Sequence, residues 1–497
     1  MKKLFVLLLC LVLAAALLVA CTNETANEPT EPDYSGTFRV GFGRVNITPE
    51  LGIGLAGMGD DATRKAKDIE SKLYMTCIAV TDENENTVLL MTSDSIRTET
   101  WVCDLMRDMI HSELGVPREN IFSSTTHTHN APDTIRTEYT VFYQQAGLEA
   151  CKKAMEDRRP AEMYTGTTEA EGLNFVRHYV MEDAEGNRSI VGPNYGDETG
   201  KTYVGHETEV DNSVQLIKFV REGFKDIILM NFRGHPIVSA GGHYTSISAG
   251  YIDDCRSTME EELKCHFAYF QGASGNVSDT SEIVSENNFR TNYTDLGEKL
   301  AYVAIDYLDS LEKVNTGAVE VKTVNYYGNV RVDSQEYITA ATKFNNVKKT
   351  GGSMADAIKA SGNLCFCPQA LSCIEMRQQQ YKIGKGQMAL EMGAISIGDV
   401  AFISSPWEMF DNTGMQIKEG SPYEQTFVMY LSNGRGKYLP SEPAYSNGCY
   451  EKELSYFVKG TAEEVAGLYI DMLEELAADG MIQNSTETFS SQLPNDT

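Results

Sequence analysis

Among the eight histidines of this 497-residue chain, two stand two apart, in His127-Thr128-His129 after the apolar run IFSSTT. If the extended backbone persists, both imidazoles project on one face and can share a metal ion and its substrate. The alternative is two hydrogen-bonded surface histidines. Four further runs end in residues of similar chemical kind. IILMNFRG is followed by His235-Pro236, HFAYFQGAS by Gly275-Asn276-Val277-Ser278, VAFISSP by Trp407-Glu408, and TFVMYLSN by Gly434-Arg435-Gly436-Lys437-Tyr438. Taken singly, His235 reads as a loop histidine and Tyr438 as a packing residue. Glu408 reads as a ligand, an acid raised in pKa by apolar neighbours, or a helix N-terminal carboxylate. What unites them is position, because open α/β sheets place their sites beyond strand ends.

The elements that must carry these residues follow from hydrophobic periodicity. FRVGFGRVNIT, LYMTCIAVT, TVLLMTSDS, VQLIKFV and ISIGDVAFISS join the runs above as strands, with Gly398-Asp399 as a hairpin turn. Helical spacing falls at about 99–114, 139–157, 251–264, 290–312, 410–418 and 461–478. The alternation predicts an α/β fold, a mixed sheet with helices packed on it. With no internal linker or repeat in the sequence, one large domain is expected over residues 37–483, followed by a polar tail over 484–497.

Composition removes other classes. Lys+Arg 42 against Asp+Glu 71, a net charge of −29, leaves no broad basic field for nucleic acid. With 42% hydrophobic residues the chain can bury a large core. Lys2-Lys3, an apolar run and Leu18-Val19-Ala20-Cys21 form a lipobox, so residues 1–20 read as a lipoprotein signal peptide and Cys21 as the lipidated residue. Residues 21–36 then form a stalk, and the protein is expected outside the cytoplasm, anchored to the bacterial membrane through Cys21; the alternative is a retained transmembrane anchor. Of eleven cysteines, nine remain after Cys10 and Cys21, an odd number that argues against a complete disulfide framework. Cys77, Cys103, Cys151, Cys255 and Cys265 read as core residues, and Cys365, Cys367 and Cys373 as free thiols or a disulfide.

VGFGRVNITPELGIGLAGMG, FSSTTHTHNAPD, NFRGHP, QGASGNVS and SSPWEMF occur in an order that resembles the neutral/alkaline non-lysosomal ceramidase family, from about Phe38 to Leu476. The resemblance implies one Zn²⁺ held by His127, His235, Glu408 and Tyr438, with an open position for water whose pKa the ion lowers towards ~7. It also implies a substrate-facing His129, an Arg177 near the reacting amide, and a catalytic role for Ser278. We favour positioning over nucleophilic attack for Ser278, since no histidine adjoins it in sequence. The activity implied is hydrolysis of the N-acyl bond of ceramide or a related N-acylated lipid or small acyl amide. A zinc esterase or deacetylase and a non-catalytic solute-binding lipoprotein are the alternatives. Three departures from the family stand out: family members that cleave ceramide carry a further C-terminal β-sandwich, Asp279-Thr280 replaces Pro-Asn, and only the second tyrosine of a Tyr-x-x-Tyr pattern is kept. Reading 178–210 and 334–372 as polar loops, we expect a shallow groove that favours short or single acyl chains over long-chain ceramide.

Overall fold

The computed structural model describes residues 33–58, 64–135, 137–192, 196–237, 244–279, 293–362, 368–479 and 487–494. The signal peptide, Cys21, most of the stalk, Cys365 and Cys367 lie outside them. The chain divides into two compact units, Met1–Ser35 and Gly36–Thr497, and the site lies wholly in the second. Among the described residues no helix is long and apolar enough to cross a membrane.

One topology occurs three times. In the first sheet, Arg39–Asn46, Tyr74–Thr81 and Thr87–Ser93 pair antiparallel, and Thr87–Ser93 then pairs parallel with Ile121–Thr125. In the second the same roles fall to Glu162–Glu169, Ser213–Val220, Ile227–Phe232 and His266–Gln271. In the third they fall to Val319–Asn329, Gln387–Ile397, Val400–Ser404 and Gln425–Met429. A parallel pair cannot be closed by a hairpin, so a helix returns the chain each time: Thr100–Leu114, Tyr251–Leu263 and Asp411–Gly420. A further helix follows each fourth strand, at Thr137–Glu156, Tyr293–Tyr307 and, after the short helices Glu442–Asn447 and Tyr450–Leu454, at Thr461–Asp479.

The three sheets share one inner core. Thr87–Ser93 shows why its sequence is apolar on both faces: Val88 and Leu90 join Phe219, Leu229, Ile395 and Phe402 from the other sheets, while Leu89 and Met91 pack outward with Val102, Met106 and Ala150 of the covering helices. Such double burial yields a continuous apolar run rather than alternation. Gly41 and Gly43 allow close approach of the outer helix, since a Cβ there would stand 2.0 Å from the carbonyl oxygens of Ala154 and Ala150. Among the described residues, Cys77, Cys103, Cys151, Cys255, Cys265, Cys373 and Cys449 are buried and form no disulfide. The predicted hairpin forms, with Ile397 opposite Val400 and Gly398 at φ 58°.

Two segments differ from expectation. Residues 178–210 contain a three-stranded antiparallel sheet, Tyr179–Glu182, Arg188–Val191 and Thr202–His206. Residues 334–372 contain the helices Gln335–Lys349 and Met354–Ala360 and the start of Pro368–Ile383. The short-chain preference rested on irregular loops at both places and loses that footing. In the polar tail, Glu487–Ser490 adds a parallel strand beside Val319–Asn329.

Candidate metal centre

Each repeat of the topology delivers its chemistry just beyond the C-terminal ends of its parallel strands. His127 follows Ile121–Thr125, His235 follows Ile227–Phe232, Ser278 follows His266–Gln271, Glu408 follows Val400–Ser404 and Tyr438 follows Gln425–Met429. Backbone bonds join the three repeats there: Asn433 N donates to Ser123 O at 2.9 Å, and Tyr430 N to Gln271 O at 3.0 Å.

His127 leaves its strand in the left-handed region, φ 64°, a conformation that costs a non-glycine residue on the order of 1 kcal/mol or more. Its Nδ1 lies 2.5 Å from Ile96 O, and the edge of its ring meets Tyr430 at 5.4 Å. His235 donates its backbone N–H to Val277 O at 3.1 Å, and its Nδ1 lies 3.2 Å from Ser274 O. A carbonyl oxygen only accepts, so Nδ1 carries the proton in both rings and Nε2 carries a lone pair. These two Nε2 atoms are 3.0 Å apart, and Glu408 Oε2 lies 3.5 Å from that of His127.

His129 completes a three-histidine cluster, its Nε2 lying 3.1 Å from that of His235 and 3.4 Å from that of His127. Among the described residues its Nδ1 has no hydrogen-bond partner, which sets it apart from the two rings held by carbonyls. It is therefore the one ring of the three free to turn an Nε2–H into the cluster. One N–H then faces two lone pairs and a carboxylate. Burial first, aided by the charge of Arg177, holds His235 well below the usual imidazole range. Burial also lowers His129, with His127, Arg177 and Arg64 adding to it, and burial lowers His127 against the opposing pull of Glu408. The rings are neutral, so no extra proton bridges them. An acceptor-rich point of neutral imidazoles and a carboxylate fits a divalent cation, and carbonyl-held Nδ1 atoms are the usual support for such ligands.

Tyr438 stands opposite Glu408 in a short parallel pair. Burial, then the Glu408 charge, pushes its phenol well above the ordinary value, and its oxygen lies 3.3 Å from Arg177 Nη2. Arg177 arrives on Phe175–Val176, which pairs with Val277–Ser278, and it also donates to Gly275 O at 2.9 Å. Ser278 is buried and bridges to His235. Asn276 ties this turn to the helix beyond Glu408, donating to Asp411 Oδ1 at 2.8 Å and accepting from Asp411 N at 2.9 Å. The geometry so gathers all seven residues expected from sequence.

Sequence reasoning passed over Gly57, Arg97, His178, Tyr430 and Glu451. Arg97 pairs with Asp133 at 2.6 Å, and its charge helps keep His127 and His129 neutral. Gly57 has φ 98°, and a Cβ there would meet Ile96 Cδ1 at 2.4 Å and His129 Nδ1 at 2.7 Å. Gly57→Ala is expected to displace His129 and lower turnover by at least ~10-fold, read from rates on protein whose circular dichroism is unchanged; a wild-type rate would contradict this packing role.

No family model and no curated protein matches the chain. Its α/β architecture is nevertheless that of solved proteins. The neutral ceramidase of Pseudomonas aeruginosa superposes with a TM-score of 0.67 at 15% identity, covering 90% of this chain and 76% of that one. A ceramidase complexed with C2 gives 0.67 at 14%, covering 92% and 77%. At such identity the likeness is one of fold: this chain has the neutral ceramidase fold.

Proposed function

We propose that the protein is a zinc-dependent hydrolase that cleaves the N-acyl bond of ceramide or a related N-acylated lipid. The observation that carries the reading is the pair of Nε2 lone pairs 3.0 Å apart beside Glu408, and the ceramidase fold supports it. His127, His235, Glu408 and Tyr438 would hold a divalent ion, which would supply Lewis acidity to a water and to an acyl carbonyl. His129 presents an N–H towards the substrate oxygen, and Arg177 places positive charge where negative charge develops on the amide. Ser278, fixed beside His235, orients the substrate. The lipobox at Leu18-Val19-Ala20-Cys21 supports attachment to the outer face of the membrane, where an acylated lipid is met in place.

The test is metal analysis of the purified chain with hydrolysis of N-acyl sphingosines of short and long chain. About one zinc per chain is expected, with activity lost to a chelator and regained on adding zinc. Equal hydrolysis by metal-free protein would reject the reading. Ser278→Ala is expected to keep its zinc and lose about 100-fold in turnover, the scale of one positioned hydrogen-bonding group. An acyl group trapped on Ser278 during turnover would instead make it a nucleophile.

A further inference from the structure

A second buried group of metal-ligand types, His178, Cys449 and Glu451, lies in the same unit, but its hydrogen bonding is the reverse of the first. His178 Nδ1 is 2.7 Å from Glu207 Oε2, and its Nε2 is 2.9 Å from Glu451 Oε2. Carboxylates only accept, so both ring nitrogens donate and the ring is an imidazolium with no lone pair for a metal. Cys449 Sγ accepts from Lys452 N as the cap of the helix Tyr450–Leu454. The group is an ion network, and its other end is Arg177.

Glu451 divides its two oxygens between two cations. Oε2 takes His178, while Oε1 takes Arg177, with Nε at 2.9 Å and Nη2 at 2.6 Å. The carboxylate is fully buried, and His178 and Arg177 are nearly so. Neither oxygen is free to rotate, so the guanidinium is held in one orientation, with Nη2 on Tyr438 Oη and Gly275 O. The outer end is tied as well, since Asn447 Nδ2 donates to Glu207 Oε1 at 2.8 Å.

We propose that Glu451, locked by the imidazolium of His178 against Glu207, is a positioning residue that fixes Arg177 at Tyr438 and so sets the rate of acyl-bond cleavage. The proposal rests on the hydrolytic reading above. Four charges, three of them buried, need not be retained for stability, because such networks are often replaceable by apolar groups at no cost; a site that needs one guanidinium orientation gives them a use. The groups facing His178 are Glu207, Glu451, Cys449, the neighbouring Arg177 and the ring of Phe410. The two carboxylates outweigh burial and hold the imidazole up to about 9.

The experiment compares zinc-loaded wild type, Glu451→Gln, Arg177→Ala and the double variant for zinc content, kcat and KM. Glu451→Gln is expected to keep its zinc, hold KM within about threefold and lose about 10- to 100-fold in kcat, as other positioning partners do. The double variant is expected to be no slower than Arg177→Ala alone. A wild-type kcat in Glu451→Gln, or losses that multiply in the double variant, would overturn the proposal. Should Glu451→Gln fail to fold, Glu207→Gln reads the same network from its outer end. His178 should then lose its second proton at lower pH by nitrogen NMR, and kcat should fall at correspondingly lower pH. An unchanged titration and pH profile would count against the proposal. Wild-type protein with neither zinc nor amidase activity would instead dismiss the hydrolytic reading itself.

Discussion

Replacing His127 or His235 by alanine is expected to lower zinc affinity by well over 100-fold and to abolish most hydrolysis, with circular dichroism unchanged. Losing even an outer partner of a metal ligand costs 10- to 100-fold, and the ligand role proposed for these two rings rests on their geometry, each with Nδ1 fixed on a carbonyl and Nε2 aimed at the other. Thermal melting sharpens the test. Without metal, the wild type holds two lone pairs and a carboxylate around one point, and a ring removed there relieves repulsion. Zinc at 100 times its dissociation constant stabilises the wild type by about 2.7 kcal/mol, whereas the variants gain little. The expected result is therefore a zinc-dependent rise in Tm in the wild type alone. Full zinc occupancy in both variants would sink the ligand assignment.

How much of this was legible in the sequence follows burial. Strands covered on both faces, such as Thr87–Ser93 and Ile227–Phe232, are written as apolar runs and can be read directly. Thr202–His206, largely exposed, offers no such run, and from sequence the small sheet it belongs to reads as a loop. The helix Pro368–Ile383 has no clear apolar stripe, as its run of three glutamines shows. The threefold repeat is one of topology, held by pairing order rather than by similar residues, and no sequence period betrays it. His127, His235, Glu408 and Tyr438 stand out as polar residues after apolar runs, but their grouping as one ligand set comes from the family resemblance, since Tyr438 alone reads as a packing residue and His235 as a loop histidine. Glu451 lies in the short polar helix YEKEL, where an acid is unremarkable until its oxygens are seen on Arg177 and His178.

Gly275→Ala should disable the centre without touching any of its side chains. The glycine amide donates to Met409 O at 2.8 Å, which lays the serine turn flat against the Glu408–Met409 strand. A Cβ at this position would stand 2.5 Å from Glu408 O, 2.9 Å from Met409 O and 3.0 Å from Glu408 C. These are backbone atoms and cannot rotate aside, so the two segments must separate. That motion carries Glu408 away from His127 and out of register with Tyr438. It also shifts Gly275 O, one of the acceptors that orient Arg177. Overpacking of this kind costs about 1–3 kcal/mol in stability, which a chain of this size tolerates, but the loss at the site is multiplied across a ligand and the arginine. Zinc affinity is expected to fall 10- to 100-fold and turnover further still, even at saturating zinc. Gly467 supplies the control: it lies within the helix Thr461–Asp479 with open space around its Cβ position, so Gly467→Ala should leave zinc and rate unchanged and raise stability by up to ~1 kcal/mol. Wild-type zinc affinity and turnover in Gly275→Ala would mean that the serine turn and the Glu408 strand are not in the contact on which this account of the centre depends.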